Sequence, residues 1–178
     1  EPREGELAWN ILLAGVGGQG VTALSAILGM AAHLEGRPAR AVDMMGLAQK
    51  GGGVFAQLRI GRVGAAPETI EAPRIGMGQA DLLVSADLVV AQGRTARPLL
   101  GADRTVAVLN TDLQPTAQFV LNTETRYDGA GMLDSVRRAC REVVTVPGVQ
   151  AVEEALGDLI YLNVWLLGIA YQTVSYTH

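Results

Sequence analysis

A glycine turn, Gly15-Val16-Gly17-Gly18-Gln19-Gly20, constrains this chain more than any other segment. Before it runs Asn10-Ile11-Leu12-Leu13-Ala14, a short apolar stretch of the kind that makes a buried strand. After it, from Gln19 to Leu34, the residues Val21, Leu24, Ile27, Leu28 and Ala31 recur three and four apart, which is one face of a helix. A G-x-G-x-x-G turn between strand and helix is the setting in which backbone is laid against a phosphate. The first glycine permits the tight turn, the second a close approach to a ligand, and the third close packing of helix and strand. The helix start adds unpaired N–H groups and the positive end of its dipole.

Gly36 and Pro38 end that helix, and Arg40-Ala41-Val42-Asp43-Met44 reads as a second strand, so the chain opens as a βαβ unit with a right-handed crossover. Val54, Ala56, Leu58 and Ile60 alternate with Phe55, Gln57 and Arg59, a strand with two distinct faces. The stretch from Gly61 to Gly78 reads as a long loop. Strands are expected at Asp81–Val84 (helix remaining open there), Thr105–Leu109 and Val143–Val146. Helices are expected at Leu88–Leu100, Met132–Arg141, Val149–Leu156 and Leu159–Gln172, with Gly157 closing one and Asp158 capping the next. Strands alternating with helices predict an α/β fold: a three-layer α/β/α Rossmann-like domain whose sheet is mostly parallel, a mixed sheet being allowed. The whole of residues 1–178 reads as one domain. The missing initial methionine and the unpunctuated end at Thr177-His178 suggest a fragment of a longer chain.

Charge and cysteine usage narrow the function. A net charge of −4 without a basic run argues against nucleic-acid binding. The longest apolar stretch, Leu159 to Tyr171, is too short for a bilayer and contains Asn163, so no membrane role is expected. The single cysteine, Cys140, reads as a small apolar residue on a helix; it cannot build a cluster or a zinc site alone, and it suits a reducing, cytoplasmic compartment. His33 and His178 have no ligand spacing around them, so no metal site is expected, and no nucleophile set or carboxylate pair marks a catalytic residue.

The candidate ligand-facing residues are therefore Gly15, Gly17, Gly18, Gln19 and Gly20, with Gln49, Lys50 and Gly51 from a second glycine cluster, Gln49-Lys50-Gly51-Gly52-Gly53. Both loops are expected at the carboxyl edge of the sheet, where open parallel sheets bind ligands. Asp43, about 20 residues beyond the turn, could accept from a ribose hydroxyl, as in an NAD site. Against a simple dinucleotide pocket stand the amide of Gln19 inside the turn and the second loop. Lys50 could neutralise a phosphate or sit solvated. Asn163 reads as a polar group satisfied by a neighbouring loop, a functional contact being the alternative.

Two segments carry a resemblance in combination: Leu13-Ala14-Gly15-Val16-Gly17-Gly18-Gln19-Gly20-Val21, and Asp43-Met44-Met45-Gly46-Leu47-Ala48-Gln49-Lys50-Gly51-Gly52. Ala80-Asp81-Leu82-Leu83, Val108-Leu109-Asn110-Thr111, Leu156-Gly157-Asp158, Asn163 and Leu167-Gly168 extend it over nearly the whole chain. The chain resembles the gamma subunit or domain of the 2-oxoacid:ferredoxin oxidoreductases (the pyruvate, ketoisovalerate and indolepyruvate enzymes), and most closely the fused indolepyruvate type. That resemblance implies an enzyme that decarboxylates a 2-oxoacid on thiamine diphosphate, passes electrons through iron–sulfur clusters to ferredoxin, and forms an acyl-CoA. It implies that this portion assembles with alpha and beta thiamine-binding parts, meets ferredoxin through the complex, lies near the CoA side of the site and is inactive alone; a homodimer stays open. Two alternatives remain at this point: an independent NAD(P)-binding oxidoreductase domain, and an assembly module without a ligand.

Overall fold

Ile11, Leu12, Leu13 and Ala14 are all buried, because the strand that holds them, β1 (Ala8–Val16), lies inside a six-stranded sheet covered on both faces. The computed structural model describes residues 2–45, 53–112 and 128–175. The other strands are β2 (Ala39–Met45), β3 (Gly53–Gly61), β4 (Leu82–Ser85), β5 (Val106–Asn110) and β6 (Glu142–Val146). The described helices are α1 (Val21–Leu34), a single turn α2 (Leu88–Ala91), α3 (Gly129–Arg137), α4 (Gly148–Leu156) and α5 (Leu162–Ser175).

Alternate side chains of β1 enter different cores. Leu12 and Ala14 pack with Leu88, Val90 and Val136 from α2 and α3. Ile11 and Leu13 pack with Val21 and Leu24 of α1, Val152 of α4, and Leu162 and Leu166 of α5. Helices thus lie on both faces of the sheet, the expected three layers, and a strand buried on both faces reads as an unbroken apolar run.

The sheet order is β2-β3-β1-β4-β5-β6. β1, β4, β5 and β6 are parallel. β3 runs antiparallel to both β1 and β2. The opening βαβ unit is present in direction, since β2 runs the same way as β1, but β3 is inserted between them. The sheet is therefore mixed. β3 is buried through Phe55, Ala56, Gln57 and Leu58, so its two faces differ less than its alternation suggests: a strand with a neighbour on each side and core above and below has no solvent face.

Other elements differ in extent. The helix expected over Leu88–Leu100 stops at Ala91; Gly93 weakens it, its N–H closing a tight turn onto the Val90 carbonyl, and a separate 3-10 turn, Arg97–Leu99, follows. The segment expected at Met132–Arg141 is helical over Gly129–Arg137. It begins earlier because Asp128 caps it, accepting from the Gly131 N–H at 2.9 Å, and ends earlier in a tight turn in which the Ala139 N–H donates to the Val136 carbonyl. Cys140 consequently lies beyond the helix, buried before β6, and burial pushes its thiol up to about 12.

An ion network invisible to periodicity ties the amino edge of the sheet together. Arg104 Nε donates to Asp81 Oδ1 at 2.7 Å and Nη1 to Gln79 Oε1 at 2.6 Å, and the guanidinium also pairs with Glu6. The Asn10 N–H donates to Asp81 Oδ2 at 2.8 Å, and Arg59 Nε to Asn10 Oδ1 at 2.9 Å. Burial alone would lower the Arg104 pKa; the hydrogen bonds it donates to Glu6 and Asp81, with their charges, outweigh that and raise it.

Candidate functional site

The glycine turn leaves β1 at the carboxyl edge of the parallel strands and enters α1 at Gly20. Its shape is set by Gln19. The side-chain Oε1 of Gln19 accepts from the Val16 N–H at 2.8 Å, and the Gln19 N–H donates to the Val16 carbonyl at 3.1 Å. The amide therefore closes the turn from inside. Gly15 makes room for it, because a Cβ there would lie 2.7 Å from Gln19 Oε1. Gly18 and Gly20 adopt φ of 89° and 71°, the left-handed backbone that glycine tolerates.

Gly17 differs from its neighbours. A Cβ on it would meet nothing within 4 Å, and its φ is not positive. The fold places no demand for glycine there. It faces a pocket of ≈ 360 Å³, whose walls are Val16, Gly17, Gly18 and Gln19 on one side and Leu159, Ile160 and Leu162 on the other. The space beside the second glycine is open. The third does not pack against the strand: a Cβ on Gly20 would lie 3.1 Å from Nδ2 of Asn163 on α5, so the close approach is to a second helix.

The helix ends at this edge are treated differently. Asn110 Oδ1 accepts from the Gly148 N–H at 3.0 Å, and Asp112 Oδ2 from the Val149 N–H at 2.8 Å, so two side chains from the end of β5 cover the start of α4. α1 begins at Gly20, with no side-chain cap and no acidic residue in its first turn. Unpaired first-turn N–H groups and the dipole give that end a positive character. Asp158 caps the turn that leads into α5, accepting from Ile160 N–H at 2.9 Å, after Gly157 at φ 75°. These two residues place Leu159 and Ile160 across the pocket from the glycine turn.

Gly15, Gly17, Gly18, Gln19 and Gly20 therefore converge on one edge. Gln49, Lys50 and Gly51 lie outside the described residues; the strands that flank their segment end and begin at the same edge, with Gly53 opposite Val16. Asp43 does not join the turn. β3 separates its strand from β1, so it stands two strand spacings away, about 10 Å, instead of the single spacing of about 5 Å in a doubly wound dinucleotide sheet. Sequence reasoning missed Ile160 in the pocket wall and the approach of Asn163 to Gly20; it took Asn163 as satisfied by a neighbouring loop, whereas among the described residues its side chain makes no hydrogen bond. Among the described residues no group of three His, Cys, Asp or Glu side chains converges on a cation, and no helix is long and apolar enough to cross a membrane.

The profile of the family described as pyruvate ferredoxin/flavodoxin oxidoreductase matches residues 10–176. This chain belongs to that family. The indolepyruvate oxidoreductase subunit IorB of Methanothermobacter thermautotrophicus is 31% identical over 171 residues, covering 94% of this chain and 80% of that protein. The subunit of the same name from Archaeoglobus fulgidus is 29% identical over 162 residues, covering 91% and 75%. Among solved structures, pyruvate oxidoreductase subunit PORC of Thermotoga maritima aligns with a TM-score of 0.58 at 18% identity, over 90% of this chain and 74% of that one. The 2-oxoglutarate:ferredoxin oxidoreductase of Magnetococcus marinus, solved with 2-oxoglutarate, coenzyme A and succinyl-CoA bound, aligns with a TM-score of 0.55 at 15% identity, over 89% of this chain and 23% of that one. At those identities the structural likenesses establish the fold. The mixed sheet is thus a form that the pyruvate ferredoxin/flavodoxin oxidoreductase family adopts.

Proposed function

We propose that the chain is the gamma-type component of a thiamine-diphosphate-dependent 2-oxoacid:ferredoxin oxidoreductase, of the indolepyruvate-like kind, that forms an acyl-CoA. Thiamine diphosphate supplies the decarboxylation and iron–sulfur clusters the electron path, and both belong to the partner parts: this chain has one cysteine and no thiamine-diphosphate motif of the Gly-Asp-Gly…Asn-Asn kind. Its own contribution is assembly with the alpha and beta parts and a contact to CoA, with ferredoxin met through the complex in the cytoplasm. The ligand-facing residues are Gly15, Gly17, Gly18, Gln19 and Gly20, with Gln49, Lys50 and Gly51 from the adjoining segment.

The observation that carries the CoA contact is Gly17, which no part of the fold requires to be glycine and which opens onto the pocket. The IorB relatives, named as subunits, support the assembly role. So does the charge-free α5 with the turn before it, which exposes Ile160, Tyr161, Val164 and Tyr171, while α1 exposes Ile27, Met30 and Leu34. The NAD(P) reading loses its acidic partner because β3 lies between Asp43 and the turn.

Gly17→Val tests this in the enzyme reconstituted from the chain and its thiamine-binding parts. The fold should tolerate the substitution, and the isopropyl group should obstruct the pocket, so KM for CoA should rise at least about tenfold with KM for the 2-oxoacid unchanged. An unchanged KM for CoA in the folded variant refutes the contact.

A further inference from the structure

We infer that the outer face shared by α1 and α5 is where a second copy of this chain docks, the two copies meeting helix layer to helix layer about a two-fold axis. Both helices lie on one face of the sheet and bury Val21 and Leu24 of α1, and Leu166 and Ala170 of α5, in a common core. On the side turned away from that core, α1 exposes Ile27, Met30 and Leu34. α5 and the turn before it expose Ile160, Tyr161, Val164 and Tyr171, all seven side chains being between 48% and 79% open. These spacings make one stripe along each helix. Neither helix contains an Asp, Glu, Lys or Arg, although 18% of the chain is charged. A helix face left in water is normally polar, so this one is built to be covered.

Charge, shape and area select a second copy as the cover. Each chain carries a net charge of −4, so two copies repel wherever charged surfaces meet, and an uncharged face lets them touch without stranding a charge. α1 and α5 approach each other at their starts, where Gly20 nears Asn163. Toward their ends a groove of ≈ 350 Å³ lies between them, lined by Leu28 and Ala31 of α1, Leu167 and Ala170 of α5, and Trp9 and Ile60 of the sheet. Its charged residues, Glu35 and Arg37, pair with each other at 2.8 Å. Apolar side chains stand beside this groove, so those of one copy have the groove of the other to enter. The exchange is reciprocal, as a two-fold contact requires. A standard stable interface takes about 800 Å² from each partner, and seven exposed large apolar residues with the groove supply surface on that scale. Gly29 and Gly168 agree with this. Each lies inside its helix without a positive φ and with open space where a Cβ would be. Such a glycine weakens a helix, and nothing within one chain explains it, whereas it lets two backbones come close. The inference rests on the reading of the chain as an assembly component and names what covers this face.

The test is sedimentation of the chain at micromolar concentration beside Met30→Arg and Val164→Arg, with circular dichroism to confirm that each is folded. Met77→Arg is the control, since Met77 is 79% exposed and lies outside both helices. The chain should sediment as a dimer that added salt does not weaken, because no ion pair holds it. Met30→Arg and Val164→Arg should each weaken it by at least about a hundredfold, since the two-fold contact would bury two unpaired charges. Met77→Arg should leave it intact. A chain that stays monomeric overturns the inference, as does a dimer indifferent to both helix variants. The same proteins are then mixed with the thiamine-binding parts. If the chain is monomeric and both helix variants fail to bind those parts, the parts cover this face: the assembly reading stands and the second copy falls. If the dimer forms and responds to both variants while neither it nor the variants bind those parts, the second copy stands and the gamma-component reading falls.

Discussion

Arg104 is held by Asp81, Gln79 and Glu6, and in turn it neutralises an Asp81 carboxylate that is itself buried. The pair lies where β1, β4 and the segment before β5 meet, so it fixes the amino edge, opposite the edge that carries the glycine turn. Removing one member of a buried pair leaves the other charge without compensation, which costs more than the pair contributes when intact. Arg104→Ala should therefore destabilise the chain by about 3 kcal/mol, measured as a lowered urea midpoint; Arg3, 3.7 Å from Asp81 and partly exposed, is too open to replace it. A loss below about 1 kcal/mol would mean that the network behaves like a surface ion pair. Nothing in the local sequence around Arg104 signals this role. Its partners lie far away in the chain, and pairing across such distances leaves no periodic trace. Gln19 is intermediate: an amide inside a glycine turn is conspicuous in the sequence, but its fold-back onto the Val16 N–H required the structure.

Elements punctuated by local chemistry were legible. Gly157 and Asp158 were assigned as stop and start signals, and they adopt those roles, with φ of 75° at Gly157 and the Asp158 carboxylate on the Ile160 N–H. Each substitution, Gly157→Ala and Asp158→Ala, should cost about 1 kcal/mol, one through left-handed backbone and the other through the lost cap. A urea series with an unchanged slope checks this, and losses near zero would show that packing alone positions α5. Helix extent was less legible: α2 is a single turn, because the turn at Gly93 outweighs the apolar run Leu88-Val89-Val90-Ala91 that suggests a longer helix. β3 was legible as a strand and its place was not. Alternation reports that side chains face two ways, whereas the neighbours of a strand depend on pairing that only the assembled sheet decides. That placement matters for function, since it removes Asp43 from the turn and with it the main support for a dinucleotide site.

At the scale of the whole molecule, one edge of a mixed sheet collects an open glycine turn, an uncapped helix start and a buried amide, while the outer faces of α1 and α5 remain apolar. The turn was visible because its residues are contiguous. Asn163 was singled out, but its meeting with Gly20 was not, because two helices far apart in sequence bring them together. Among the described residues there is no cation-binding cluster of acidic, His or Cys side chains. The proposed function casts this chain as one component of a larger enzyme. The most direct measurement is 2-oxoacid-dependent reduction of ferredoxin, assayed with the chain alone, with the thiamine-binding parts alone, and with both. The account predicts no turnover from the chain, and CoA-dependent turnover that requires its addition to the other parts. Turnover by the chain alone, or full CoA-dependent turnover by the other parts without it, would contradict the account.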